Sequence, residues 1–106
     1  MRTAYTADVV LDRLSELDGW SAAPDRASIR REFVFADFPR AFAFMAAVAT
    51  RAEKMDHHPD WRNVYNRVEV TLSSHDVGGV TERDLALATY LDSLYPSFAG
   101  TARQPS

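Results

Sequence analysis

Between residues 8 and 18, apolar side chains recur at Val10, Leu14 and Leu17 with acidic residues between them, the three-to-four step of an amphipathic helix; Gly19 supplies a stop. Residues 20–23 and 29–35 change the rhythm. They are short runs, the second dense in Ile, Val and Phe, and the turn-prone Pro24-Asp25-Arg26-Ala27-Ser28 between them predicts a hairpin. Asp37 then offers an N-cap to a helix with Pro39 in its first turn, and Phe38, Phe42, Met45, Val48, Ala52 and Met55 keep the spacing of one buried stripe. After Pro59, residues 61–65 and the alternating Val68, Val70 and Leu72 predict a second strand pair, closed by a tight reversal at Tyr65-Asn66-Arg67 and ended by Gly78-Gly79. Thr81-Glu82-Arg83-Asp84 has capping-box spacing, and Leu87, Leu91 and Leu94 continue as the stripe of a third helix that Pro96 should stop.

This order predicts an α+β fold: a four-stranded antiparallel sheet with three helices on one face, α-β-β-α-β-β-α. At 106 residues, 46% of them hydrophobic, the chain suits one core, so residues 1–106 read as a single domain folded over about 8–97, with a flexible tail over 100–106. Such a sheet keeps an open face and exposed edges. Together with the alanines at 41, 43, 46, 47 and 49, which let another helix approach closely, these edges point to a homodimer or homotetramer.

Charge and composition narrow the function classes. The chain lacks cysteine, which removes disulfides, thiolate nucleophiles and cysteine-based metal sites, and leaves His, Asp, Glu, Ser, Tyr and backbone groups for chemistry. Acidic residues (15) outnumber basic ones (12) with no basic run, so nucleic acid is not an expected partner. The most apolar stretch, residues 41–49, is followed by Arg51, Glu53 and Lys54 and falls well short of the ~20 residues of a membrane span. The opening residues lack the pattern of a secretory signal, which makes the cytoplasm the expected setting.

All three histidines are close in sequence, with His57-His58 at the exit of the second helix and His75 at the end of the last strand. Histidine can both donate and accept a proton near neutrality, so several on converging loops can serve acid and base steps together. The residue before a proline is pushed to extended geometry, so His58, preceding Pro59, should point away from His57. That divergence, and the absence of His-x-x-x-His spacing, argue against a shared zinc ion. Plainer readings exist for each residue. The histidine pair can be a solvated helix exit, Asp84 can do no more than close a capping box, and Glu53 and Lys54 can be a solvated helix face. Trp61 and Tyr65 fit core or sheet-face aromatics, and Asn63 and Asn66 fit turn and strand-end hydrogen-bonders.

The stretch from Glu53 to Ala88, EKMDHHPDWRNVYNRVEVTLSSHDVGGVTERDLALA, closely resembles the pterin-4a-carbinolamine dehydratases. It carries their acidic-Lys helix end, His-His-Pro-x-Trp-x-Asn-Val-Tyr-Asn, a His-Asp before glycine, and a Thr-x-x-Asp helix start. Upstream, Trp20, residues 29–35, Phe38, Ala41 and Phe44-Met45 extend the similarity to roughly residues 8–97. The resemblance implies dehydration of a 4a-hydroxytetrahydropterin, left after a pterin-dependent aromatic amino acid hydroxylase has turned over, to a quinonoid dihydropterin. It implies His57, His58 and His75 as active-site histidines, with Asp84 beside them to orient one. Glu53 and Asp56 match acidic positions flanking the pair, and Pro59, Trp61, Ser74, Asp76 and Val77 fall among the substrate-lining positions. No metal or organic cofactor is implied, the pterin being the substrate. Two departures are small: Ser74 stands where threonine is frequent, and Val77 where some members have cysteine. Some members of the family assist other proteins as coactivators or assembly factors on the same fold, so a non-catalytic interaction module is the alternative expectation.

Overall fold

A computed structural model describes residues 3–25 and 27–100. The elements run α1 (Ala7–Leu14), β1 (Ser21–Ala22), β2 (Ile29–Val34), α2 (Phe38–Met55), β3 (Asp60–Val64), β4 (Arg67–Leu72) and α3 (Glu82–Ala99). The strands pair antiparallel in the order β1-β2-β4-β3, with the helices on one face, which is the expected α+β architecture. The tail expected beyond Gly100 lies outside the described residues. No described helix is long and apolar enough to cross a membrane.

Period-two alternation decides which side of the sheet is buried. Ile29 pairs with Leu72 and Phe33 with Val68, and these side chains join Val70 in a core completed by Phe44 and Val48 of α2 and by Leu85, Ala88 and Leu91 of α3. Slipping the register by one residue would exchange this set for the open face, where Glu32 sits opposite Glu69. Those like charges are offset by Arg67 at 3.1 Å from Glu32 and Arg30 at 4.0 Å from Glu69.

Several local expectations are corrected. The first helix ends at Leu14, not near residue 18: a Ser15 cap and the bonds Glu16 N–H to Arg13 O and Leu17 N–H to Leu14 O tighten the chain into turns before Gly19. Gly19 lies at φ 85°, a left-handed conformation that L side chains rarely adopt, so the glycine is required by the backbone of the turn after the helix and is not the helix cap. The first strand is only Ser21–Ala22. On α2 the buried face is Ala41, Phe44, Val48 and Ala52, while Phe38 and Phe42 are 45% and 58% exposed. Val48 and Ala52 of the expected stripe are buried, and Met45 and Met55 pack half-buried against the core. The departure is confined to the first turns, where the Phe44 ring lies 5.0 Å from that of Phe33 and 5.1 Å from that of Phe35, so that Ala41 and Phe44 face inward in place of Phe38 and Phe42. Pro96 does not end α3. The last turn is held from outside, by Phe98 against Phe44 and by Ala36 N–H on the Ala99 carbonyl at 2.8 Å, so packing outweighs the lost helical bond. Tyr65, expected in the core or on the sheet face, is 63% exposed at φ 50° in the β3–β4 turn. Asn63 and Asn66 hold that turn as expected: Asn63 Nδ2 donates to the Tyr65 and Arg67 carbonyls and Asn66 Nδ2 to the Phe35 carbonyl.

Candidate active site

The site begins where α2 stops. Asp56 takes a left-handed conformation (φ 53°, ψ 43°), and the next amide, His57 N–H, reaches back to the Ala52 carbonyl at 3.0 Å. Glycine usually fills such a position, and a non-glycine residue there costs about 1 kcal/mol, least for Asp and Asn. The reversal turns His57 inward, where it is 6% exposed. Pro59 then favours extended backbone at His58, whose side chain remains 59% exposed.

The two imidazoles therefore meet different carboxyls. His57 Nε2 lies 2.5 Å from Oδ1 of Asp84, a residue with no exposed surface. Asp84 Oδ2 accepts from the Ser74 hydroxyl at 2.8 Å and from Thr81 N–H at 2.9 Å, which completes the capping box of α3. Ser74 gives its one hydrogen to Asp84, so the Thr81 hydroxyl, 2.7 Å away, donates to Ser74, and Thr81 in turn accepts from Arg83 N–H. With Asp84 as a carboxylate, the hydrogen bond requires N–H at Nε2, and Nδ1 is left as the atom of His57 that can exchange a proton. His58 Nε2 instead lies 2.8 Å from Oε1 of Glu53, on a side chain 81% exposed.

His75 arrives on the loop after β4. Ser74 N–H bonds the Gly79 carbonyl at 2.8 Å, and the loop closes through Gly78 at φ 69° and Gly79, where a Cβ would stand 2.7 Å from that of Ala4. The tight return leaves His75 exposed at the rim. An open cavity of about 620 Å³ is lined by Asp56, His57, His58, Pro59, Asp60, Ser73, His75, Asp76 and Arg83. All three histidines thus reach one space, joined by Asp56, Pro59 and Asp76 of the expected set. Ser74 and Asp84 stand behind His57, and Glu53 behind His58. Trp61 packs half-buried against the core and Val77 is half-buried in the loop; neither is among the lining residues. Among the described residues, no group of three or more His, Asp or Glu is arranged to hold a metal ion.

Asp60, Ser73 and Arg83 line the cavity without having been singled out in the sequence. Arg83 left one signal: a cation in the first turn of a helix opposes the helix dipole, which suggests a task outside the helix. Its guanidinium pairs with Asp76 at 2.6 Å, and its Nε is buried without a hydrogen-bond partner among the described residues. The start of α3 is anchored by Glu82, which accepts from Tyr5 Oη at 2.8 Å and from Arg13 at 3.1 and 3.3 Å. Those hydrogen bonds, Arg13's first, hold the Glu82 carboxyl below its ordinary range, and the Glu82 bond raises the Tyr5 hydroxyl.

A family model described as pterin 4 alpha carbinolamine dehydratase matches residues 3–94. The chain belongs to this family. A relative from Mesorhizobium japonicum, named "Putative pterin-4-alpha-carbinolamine dehydratase", is 54% identical over 94 residues, covering 89% of this chain and 96% of its own. Among solved structures, a Brucella melitensis protein titled a transcriptional coactivator/pterin dehydratase superposes with a TM-score of 0.85 at 45% identity, covering 88% of this chain and 99% of its own. A pterin dehydratase-like protein identified as a RuBisCO assembly factor in the alpha-carboxysome superposes with a TM-score of 0.63 at 23% identity, covering 73% of this chain and 89% of its own. At that identity the likeness is one of fold. Family membership makes a pterin carbinolamine the class of substrate to fit to the histidine cavity.

Proposed function

We propose that the protein is a dehydratase that eliminates water from a 4a-hydroxytetrahydropterin to give the quinonoid dihydropterin, in pterin cofactor recycling, by histidine acid–base catalysis. The observation that carries this reading is the convergence of His57, His58 and His75 on one open cavity, with His57 held by a buried carboxylate. In the reaction the C4a–O bond breaks, the N5–H proton is removed, its electrons form the C4a=N5 bond, and hydroxide leaves as water. Hydroxide is a poor leaving group, so an acid must protonate the oxygen while a base takes the N5 proton. His58 is assigned to direct contact with the reacting centre, His57 and His75 to protonating the leaving hydroxyl, and Asp84 to orienting His57. Glu53 and Asp56 add negative charge beside the imidazoles, and the His57–Pro59 and Ser74–Val77 backbone would flank the ring. The Arg83 guanidinium, paired with Asp76, adds a cation at the wall.

The decisive experiment follows, by absorbance, the conversion of freshly generated 4a-hydroxytetrahydropterin with no protein, with wild type and with His58→Ala. Acceleration by wild type that falls about 10²-fold in the variant supports activity and site together. An unimpaired variant would sink the assignment.

A cytoplasmic homodimer or homotetramer, acting beside an aromatic amino acid hydroxylase, completes this reading. The apolar surface at Val34, Phe38, Phe42, Val64 and Tyr65, 42–63% exposed, supports self-association. The same surface favours the second reading, an interaction or assembly module, in keeping with the assembly-factor neighbour. A folded protein that fails to accelerate dehydration would favour that reading.

A further inference from the structure

A second concavity lies where the later turns of α2 face α3. It encloses about 330 Å³ and is lined by Ala47, Thr50, Arg51, Lys54 and Tyr90, none of which lines the histidine cavity. Arg51 and Lys54 are three positions apart, so they rise from one face of α2, and the small side chain of Ala47 one turn earlier leaves room beside them. The Arg51 guanidinium lies 4.5 Å from the centroid of the Tyr90 ring, a cation–π contact that steadies it against α3.

This wall is rich in donors and poor in acceptors. Arg13, Arg30, Arg31, Arg40, Arg67 and Arg83 each pair with a carboxylate, whereas Arg51, Lys54 and Arg62 form no ion pair among the described residues. Arg62 stands apart on the open sheet face opposite Glu69, while the other two share the concavity. The Tyr90 hydroxyl has no hydrogen-bond partner among the described residues, and Thr50 gives its hydroxyl hydrogen to the Ala46 carbonyl at 3.3 Å. No carboxylate is among the lining residues. Glu53, between the two cations in sequence, bonds His58, and Asp92 of α3 bonds Arg31 and Trp20. In a chain of formal net charge -3 this is a local reversal of sign.

We propose that this concavity binds a phosphate group, carried by a small phosphate ester or as free inorganic phosphate. A phosphate monoester carries a charge of about −1.5 to −2 near neutrality, which two cations match, whereas a carboxylate would leave one of them unneutralised. The Arg51 fork can donate two parallel N–H bonds to two phosphate oxygens, with Lys54 and the Tyr90 hydroxyl as further donors. The negative end of the α2 dipole opposes an anion at Lys54, but that field fades beyond the last turn, and Arg51 stands nearer the middle of the helix.

The test is a proton–nitrogen NMR titration at neutral pH and constant ionic strength, set with sodium chloride. The probes are inorganic phosphate, glycerol 3-phosphate and acetate, and the signals followed are the Arg51 and Arg62 Nε–Hε pairs and the Lys54 and Tyr90 amides. Wild type should saturate with a Kd on the order of 1 mM for at least one phosphate probe, about fivefold or more tighter than for acetate, while Arg62 barely moves. Arg51→Gln should weaken binding about tenfold, read at the two amides, and Lys54→Gln about two- to fivefold. Both side chains are exposed, so the remaining spectrum of each variant should match wild type. Tighter binding of glycerol 3-phosphate identifies an ester as the source and tighter binding of inorganic phosphate the free anion; either supports the site. Shifts that never saturate, an equal response at Arg62, acetate binding as tightly as phosphate, or an unchanged affinity in Arg51→Gln would each overturn it. The histidine cavity shares no lining residue with this one, so neither result bears on the dehydratase reading.

Discussion

His57 is 6% exposed and faces a carboxylate with no exposure, whereas His58, one residue on, keeps 59% of its side chain in water and faces a carboxylate 81% exposed. Both are histidine–carboxylate pairs under 3 Å, yet they should behave as different objects. Around His57 each hydrogen bond depends on the next, because Asp84 serves His57, Ser74 and the α3 cap together and Asp84, Ser74 and Thr81 are all buried. Around His58 solvent can replace Glu53 at little cost, so that pair can move with a ligand. A preorganised imidazole and an adaptable one are thus placed side by side by a single left-handed residue and one proline.

The sharpest break in that contrast is Asp84→Ala. It strands His57 Nε2, the Ser74 hydroxyl and the Thr81 amide in a buried space, and should lower stability by about 3 kcal/mol in urea unfolding, along with at least tenfold in dehydration rate. A loss under 1 kcal/mol would mean that the buried corner is no more cooperative than the exposed one. His58→Ala is the converse: its 10²-fold loss of rate, equivalent to about 2.7 kcal/mol in the barrier, should come with a stability change within about 0.5 kcal/mol. Ser74→Ala lies between them. It removes one of Asp84's donors but leaves His57 and the Thr81 amide in place, so about 1 kcal/mol of stability and less than a tenfold loss of rate are expected from the same two assays.

Periodicity made most of the fold legible in the sequence, and the clustering of three histidines marked the candidate site, but in neither case completely. Thr81-Glu82-Arg83-Asp84 reads as a helix start and is one, yet nothing in that spacing shows that the capping carboxylate also faces His57, because that contact joins residues 27 apart. His-His-Pro predicts divergence of the two rings from local sterics alone, and the rings do diverge. On α2 the pattern is ambiguous in its first turns: Phe38, Phe42 and Met45 lie on one side and Ala41 and Phe44 on another, about 100° apart, with Val48 and Ala52 buried as expected, and only the position of Phe33 and Phe35 on the sheet chooses between the two sides. Pro96 shows the same limit, since contacts from Phe98 and Ala36 are invisible to a local rule. Asp60 and Ser73 were missed because cavity walls are made by strand register, which no single motif encodes.

Glu82 tests how far the buried corner's support extends into solvent, and its effect should be the smallest. The carboxyl sits two residues before Asp84, is 62% exposed, and is held below its ordinary range by hydrogen bonds from Arg13 and Tyr5. A carboxylate whose value is depressed on folding binds protons less readily in the native chain than in the unfolded one. Its stabilisation is therefore complete above the ordinary carboxylate value, about 4.3, and is lost as pH falls through the lower native value. Glu82→Gln removes this contribution but keeps an acceptor for both partners, so wild type should exceed the variant by about 0.5 kcal/mol at pH 7 in low salt. That difference should shrink below about pH 4.3 and vanish in more acid, and high salt should reduce it at neutral pH by screening. A gap that persists in acid would mean that Glu82 steadies α3 through packing and not through charge. The dehydration rate at neutral pH should change less than twofold, because Asp84 is fixed by its own three partners; a larger loss would show that Tyr5 and Arg13 hold the helix start in the position His57 requires.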